Sequence, residues 1–178
     1  MERQIEELTE SMENYLEVIL ELEKVNKVAR AKDIANKLQI QRASVTGALK
    51  ILQKKGLINY KPYSFITLSD SGKKIAKEIT RRHEVIEEFL VTVLRIDPQT
   101  ASATACRMEH AIDGATLERL VCFIDYLRLC PRAGNDWLAS FITYCSSGDI
   151  DTEKCRSCIE DCSQSFNGNR MEKQSVSS

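Results

Sequence analysis

Apolar residues along this chain recur mostly at offsets of three and four, the spacing of one helix face. Met12, Leu16, Ile19, Leu20 and Leu22 make the first such stripe and predict a helix from about residue 9 to 24, with Thr9 or Ser11 as its cap. A turn at 25–27 leads to a short helix over 31–38. The polar link Gln39-Ile40-Gln41-Arg42 follows, then a helix from Ala43-Ser44 to Lys55 with Val45, Leu49 and Leu52 inward. Gly56 suits a left-handed helix end. The period then changes to that of strands: 57–61 and 65–68 flank Pro62-Tyr63-Ser64 and predict a hairpin. Helical spacing returns over about 71–93, 98–112 and 115–129, broken at Asp97-Pro98 and Asp113-Gly114. Cys130-Pro131-Arg132-Ala133-Gly134 marks a further boundary, after which Trp137, Leu138, Phe141, Ile142 and Tyr144 outline one more amphipathic helix. The polar residues from about 167 are expected to be disordered. The fold class is mainly α: a winged helix-turn-helix over 1–70, an all-helical unit over 71–129, a Cys-rich segment over 130–166 and a tail over 167–178.

Charge sharpens the first unit. Residues 1–25 hold eight Glu against Arg3 and Lys24, a net of −6, whereas residues 26–61 hold nine Lys or Arg against Asp33 alone, a net of +8. A positive block this pure releases counterions from a phosphate backbone, so the expected partner is double-stranded DNA. The helix beginning at 43–44 would enter the major groove. Ser44, Thr46 and Gly47 are small enough to let its axis approach the bases, Arg42 reaches phosphate or a guanine, and Lys50, Lys54 and Lys55 suit backbone contacts. Lys61, Tyr63 and Ser64 fall at the wing tip.

Composition excludes other classes. A 43% hydrophobic share with 29% charge is that of a globular protein, and no apolar run reaches 18 residues, so no membrane span is expected. The acidic amphipathic start does not read as a signal peptide, which points to the cytoplasm. Seven cysteines there read as metal ligands or apolar residues before disulfides. Cys122, set among Leu120, Val121, Phe123 and Ile124, reads as core. No H-E-x-x-H motif occurs, which argues against a hydrolytic metalloenzyme, and neither an organic substrate nor enzymatic activity is expected.

The chemistry concentrates in two places. The two histidines each stand near acidic or thiol side chains: His83 with Glu87, and His110 with Glu109 and Cys106. At helical offsets these groups could enclose one metal ion. Separately, Cys145-x9-Cys155-x2-Cys158-x3-Cys162 could hold a tetrahedral zinc or an iron–sulfur cluster, with Cys130 as a substitute ligand; free or redox-paired thiols remain the alternative.

Several segments together resemble the iron- and manganese-dependent repressors, the diphtheria toxin repressor and manganese transport regulator family. They are Met12-Glu13-Asn14-Tyr15-Leu16-Glu17, Asp33-Ile34-Ala35, Ala43-Ser44-Val45-Thr46, Lys55-Gly56-Leu57-Ile58, Leu68-Ser69-Asp70-Ser71-Gly72-Lys73, Arg82-His83-Glu84-Val85-Ile86-Glu87 and Cys106-Arg107-Met108-Glu109-His110. The resemblance spans about residues 9–129. It implies a homodimeric repressor activated by a divalent metal, held through the helices of 71–129, with Asn14, Glu17, His83, Glu87, Cys106, Glu109 and His110 at the metal positions. Cys106 matches the iron-type members and Glu17 the manganese-type; a soft sulfur favours Fe(II), with Mn(II) the alternative. Asn14 matches neither type well, and Ser102 replaces the histidine of the iron-type pattern. No strand-rich segment follows residue 130, so the SH3-like third domain of the iron-type proteins is not expected here. The cysteines beyond 130 have none in the family pattern, leaving open a redox or iron–sulfur regulator that senses through them.

Overall fold

The computed structural model describes residues 8–61, 64–130, 135–153, 155–157 and 160. In order they form α1 (Glu10–Asn26), α2 (Ala31–Leu38), α3 (Arg42–Lys54), β1 (Ile58–Asn59), β2 (Thr67–Leu68), α4 (Asp70–Glu88), α5 (Pro98–Met108), α6 (Gly114–Leu129) and α7 (Asn135–Ser147). Side-chain caps set several helix starts. Thr9, Ser69, Asp97 and Asp113 each accept the backbone N–H three residues on, satisfying donors a helix start leaves orphaned.

The wing is smaller than the sequence predicts. Its strands are two residues each, paired antiparallel with Ile58 opposite Leu68 and Asn59 opposite Thr67. Ala29, just before α2, adds an unpredicted rung: its N–H donates to Ile66 O at 3.0 Å and it accepts from Ile66 N at 2.9 Å. Glu23 of α1 also accepts the Leu68 N–H at 2.8 Å, so the wing is tied to the helices behind it. Pro62 and Tyr63, the expected tip, lie outside the described residues.

One core joins α1, α2, α3 and the wing through Leu16, Ile19, Ile34, Val45, Leu49, Leu52 and Ile66, all fully buried. Burying one such Leu or Ile side chain contributes about 1.5–3 kcal/mol. Ile75, Ala76 and Ile79 complete it, so the first turns of α4 belong to this core. A second, smaller core gathers Ile86, Leu90, Ala101 and Ala105. The helix α4 therefore runs through both. It continues past Glu88 into a π-helical turn at Phe89–Val93, which ends the expected 71–93 helix. Gly72 is where α4 crosses the chain: a Cβ there would lie 1.9 Å from Leu57 O.

Two expectations change. The helix expected over 98–112 ends at Met108, because Ala111 N and Ile112 N both turn back onto Met108 O, at 3.0 and 3.1 Å. Glu109 and His110 thus stand on the turn that closes α5. Cys122 is exposed rather than core. The buried stripe of α6 is Leu117 and Ile124, and Cys122 falls off it together with exposed Phe123, Tyr126 and Leu129.

Candidate metal centre

Three elements meet where α1 packs on α4 and α4 on α5. The inward stripe of α1 (Tyr15, Leu16, Ile19, Leu20) seals the core, which leaves Glu13, Asn14 and Glu17 on an adjacent face. Glu13 is buried and Glu17 half-buried. From the other side come Glu109, 1% exposed, and half-buried His110.

Ligand atoms of Glu17, Glu109 and His110 all lie within 4.8 Å of one another. His110 Nε2 is 3.2 Å from Asn14 Oδ1 and 3.3 Å from Glu109 Oε1. Its Nδ1 is 2.5 Å from Glu13 Oε2. On the far side of Glu109, Oε2 is 2.6 Å from His83 Nδ1. His83 Nε2 then faces Ser102 Oγ at 3.4 Å and Glu87 Oε2 at 3.8 Å.

The electrostatics of the cluster favour a cation. Among the described residues no lysine or arginine pairs with Glu13, Glu17 or Glu109; Glu13 and Glu109 face the two imidazoles, and Glu17 faces the other carboxylates. Glu109 Oε1 is buried with no fixed hydrogen-bond donor, a costly state for a carboxylate oxygen that a proton on a neighbouring acid relieves. Glu17 responds by holding its proton: burial, and then the charge and hydrogen bond of Glu109 and the charge of Glu13, push it up to about 8. The Cys106 thiol is exposed at the residue level. Partial burial of its sulfur, followed by the charges of Glu109 and Glu17, still raises its pKa. These oxygen, imidazole and thiol donors, with an orphaned oxygen among them, fit a divalent metal, which neutralises clustered carboxylates that protons now relieve.

All seven residues named from the sequence lie in this region. Asn14, Glu17, Glu109 and His110 gather around one position, Cys106 stands beside Glu109 outside that closest group, and His83 with Glu87 flanks it through Glu109. Glu13 was missed as a participant. Its signal was present, since Glu13 and Glu17 are four residues apart on one face of an acidic helix.

In the N-terminal unit, Arg42, Thr46 and Lys50 of α3 line a groove of about 680 Å³ with Ser64 of the wing. Arg30, Lys32, Tyr60 and Phe65 line it too, though the sequence singled out none of them for it. Arg30 lies over the Phe65 ring, 5.2 Å from its centroid. Arg42, Ser44, Gly47, Lys50, Lys54 and Lys61 are exposed, and the Thr46 hydroxyl donates to Arg42 O at 3.2 Å.

The cysteine segment is only partly described. Cys145 is exposed on α7 and Cys155 is half-buried, while Cys158 and Cys162 lie outside the described residues. The half-buried Cys130 thiol donates to Tyr126 Oη at 3.5 Å. On α7 the Trp137 and Phe141 rings stack at 6.4 Å, yet Trp137 and Tyr144 are exposed, so their aromatic faces cover no core among the described residues.

A winged helix with a basic groove, joined across a carboxylate–imidazole cluster to a helical unit, defines a DNA-binding protein built to respond to a cation. Comparison with known proteins gives the family. Residues 7–66 match the iron dependent repressor N-terminal DNA binding domain, and residues 69–138 match the iron dependent repressor metal binding and dimerisation domain. The chain belongs to this family of metal-dependent transcriptional repressors. It is 39% identical over 119 residues to the uncharacterized HTH-type transcriptional regulator MJ0568 of Methanocaldococcus jannaschii, covering 66% of this chain and 95% of that protein. It is 32% identical over 118 residues to the HTH-type transcriptional regulator MntR of Bacillus subtilis, covering 66% and 82%. Among solved structures it resembles ScaR with bound Zn2+, at 31% identity and a TM-score of 0.57, covering 69% of this chain and 57% of that one. The match to that structure therefore spans little more than half its length.

Proposed function

We propose that this chain is a homodimeric repressor whose grip on operator DNA is switched on by a divalent metal bound at Glu17, Glu109 and His110. Asn14 and Cys106 complete the donor set, and His83 with Glu87 forms an adjoining half that takes a second ion or braces the first. One observation carries the reading: Glu17 belongs to the DNA-reading unit, whereas Glu109 and His110 belong to the helical unit, and their donor atoms lie within 4.8 Å. A metal joins the two units at that point. It gains affinity for the arrangement that presents α3 and the wing correctly, and so shifts the population toward it.

The metal replaces protons held by Glu17 and Cys106, whose raised pKa values store that capacity. Sulfur at Cys106 beside carboxylate and imidazole favours Fe(II); Mn(II) is the alternative, in keeping with relatives named MntR. On the DNA, Ser44, Thr46 and Gly47 sit against base edges and Arg42, Lys50, Lys54, Lys61 and Tyr63 against the backbone. The working division is 1–70 for DNA, 71–129 for metal and dimerisation, 130–166 for the cysteines and 167–178 as a tail. A DNA-binding regulator of this kind acts in the cytoplasm. Operator binding measured without air decides the matter: Fe(II) raises affinity, and equal affinity in a chelator sinks the proposal.

The cysteines support a second reading. The family match ends at residue 138, ahead of Cys145, Cys155, Cys158 and Cys162, so their spacing is an addition to the shared plan. We place zinc or an iron–sulfur cluster there, with Cys130 in reserve. Anaerobic protein that is brown, and that turns colourless when Cys155 and Cys158 are replaced by Ser, identifies a cluster; zinc lost on the same replacement identifies a zinc site. If metal-dependent DNA binding survives the replacement intact, the segment is not the primary switch.

A further inference from the structure

We infer that Glu13 is a positioning residue that selects which nitrogen of His110 binds the metal, and that it does so from the DNA-reading unit. The inference rests on the metal-centre reading above and adds a residue and a task to it.

A carboxylate buried to 4% exposure at the start of a helix needs a reason. Here the reason is one bond: Glu13 Oε2 lies 2.5 Å from His110 Nδ1, across 97 residues of sequence. At that distance one proton lies between the two atoms, so Nδ1 is committed to Glu13 and is closed to a metal. The nitrogen left to offer a metal is Nε2. That atom faces Asn14 Oδ1 at 3.2 Å and Glu109 Oε1 at 3.3 Å, and it belongs with Glu17 and Glu109 to the cluster of donor atoms. Nε2 is thus surrounded by acceptors on the cation side and Nδ1 is committed on the other. Had the proton sat on Nε2, the bare nitrogen would point at Glu13 and away from Glu17 and Glu109. Carboxylates behind metal-bound imidazoles commonly hold the ring and raise its basicity in this way.

The location of Glu13 adds a mechanical consequence. Asn14 and Glu17 share its helix, so the ring is held from behind by α1 and presented to ligands that include α1's own Glu17. Displacing α1 from the turn after α5 loosens the ring and separates the ligands together. Metal affinity and domain docking therefore rise and fall as one.

The test uses the full chain as wild type, Glu13→Leu, Glu13→Gln and a Glu109→Ala control. Nitrogen-15 NMR of labelled histidine in the metal-free protein reads the tautomer. The intensity of the Co(II) d–d absorption reads affinity. Wild type should show His110 protonated at Nδ1. Glu13→Leu should lose that fixed tautomer and bind Co(II) roughly 10–100-fold more weakly. Glu13→Gln, whose amide oxygen still accepts from Nδ1–H, should keep the tautomer and fall in between. A Glu13→Leu protein with an unchanged tautomer, or with Co(II) affinity within about two-fold of wild type, overturns the inference. So does loss of Co(II) binding in both variants with the tautomer intact, since Glu13 would then be a ligand itself. If Glu109→Ala leaves Co(II) binding unaffected, the metal-centre reading fails instead, and the metal-free tautomer still judges Glu13.

Discussion

His83 and Glu109 are joined by a 2.6 Å contact between Nδ1 and Oε2, while the other oxygen of the same carboxylate is buried without a fixed hydrogen-bond donor. One carboxylate thus serves two sides, bonded to the imidazole of α4 and open toward His110 and Glu17. Replacing Glu109 by Gln keeps an acceptor for His83 and removes a buried negative charge. We expect the metal-free protein to gain stability of order 1 kcal/mol, about 2–4 °C in Tm for a chain of this size. Metal affinity should fall by more than the roughly 10–100-fold that an outer partner costs. Calorimetry with and without metal reads both; a Glu109→Gln protein that binds metal normally contradicts the assignment.

Glu17 makes the site pH-sensitive. Its pKa rises from 4.5 unfolded to about 8 folded, so between these values the folded state binds more protons. Its contribution to metal-free stability is complete below 4.5 and is lost as pH rises through about 8. Metal must displace that proton, so metal affinity should climb over the same window. Glu17→Gln should flatten the stability slope of the metal-free protein, as read by Tm against pH. An unchanged slope would place the proton elsewhere.

Arg30 and Lys50 line the groove between α3 and the wing. If each neutralises one phosphate, replacing either with Ala should lower DNA affinity for specific and non-specific sequences alike and reduce the salt slope by about 1. Fluorescence anisotropy over a salt series measures this. Arg30→Ala should also release Phe65, which stacks beneath the guanidinium.

The exposed face of α6 carries Phe123, Tyr126 and Leu129, the last 81% exposed. An apolar face of this kind on the unit matched to dimerisation is where a second copy would pack. Phe123→Glu should convert dimer to monomer in sedimentation while leaving Co(II) binding to the monomer in place.

Gly72→Ala tests the crossing of α4 over the chain, since the new Cβ would meet Leu57 O at 1.9 Å. Backbone cannot yield as a flexible side chain does, so the cost should reach at least the 1–3 kcal/mol typical of overpacking. Thermal unfolding measures it, and a loss under about 0.5 kcal/mol would mean that α4 shifts freely.

Much of this protein was written locally. The stripe of Leu16, Ile19 and Leu20, the caps at Thr9, Ser69, Asp97 and Asp113 and the Gly56 turn depend on neighbours within four residues, and all are present. Helical offsets alone drew attention to His83 with Glu87 and to Cys106, Glu109 and His110, whereas Asn14 and Glu17 were named only through the family resemblance, because nothing local links α1 to residues some ninety positions away. Cys122 misled because four apolar neighbours look the same whether a helix face meets a core or stands exposed as this one does. The Ala29 rung of the wing, the commitment of Glu13 to His110 and the orphaned oxygen of Glu109 were decided by tertiary structure alone. Each depends on distances between groups 26 to 97 residues apart, or on solvent excluded by packing, and no local pattern records either.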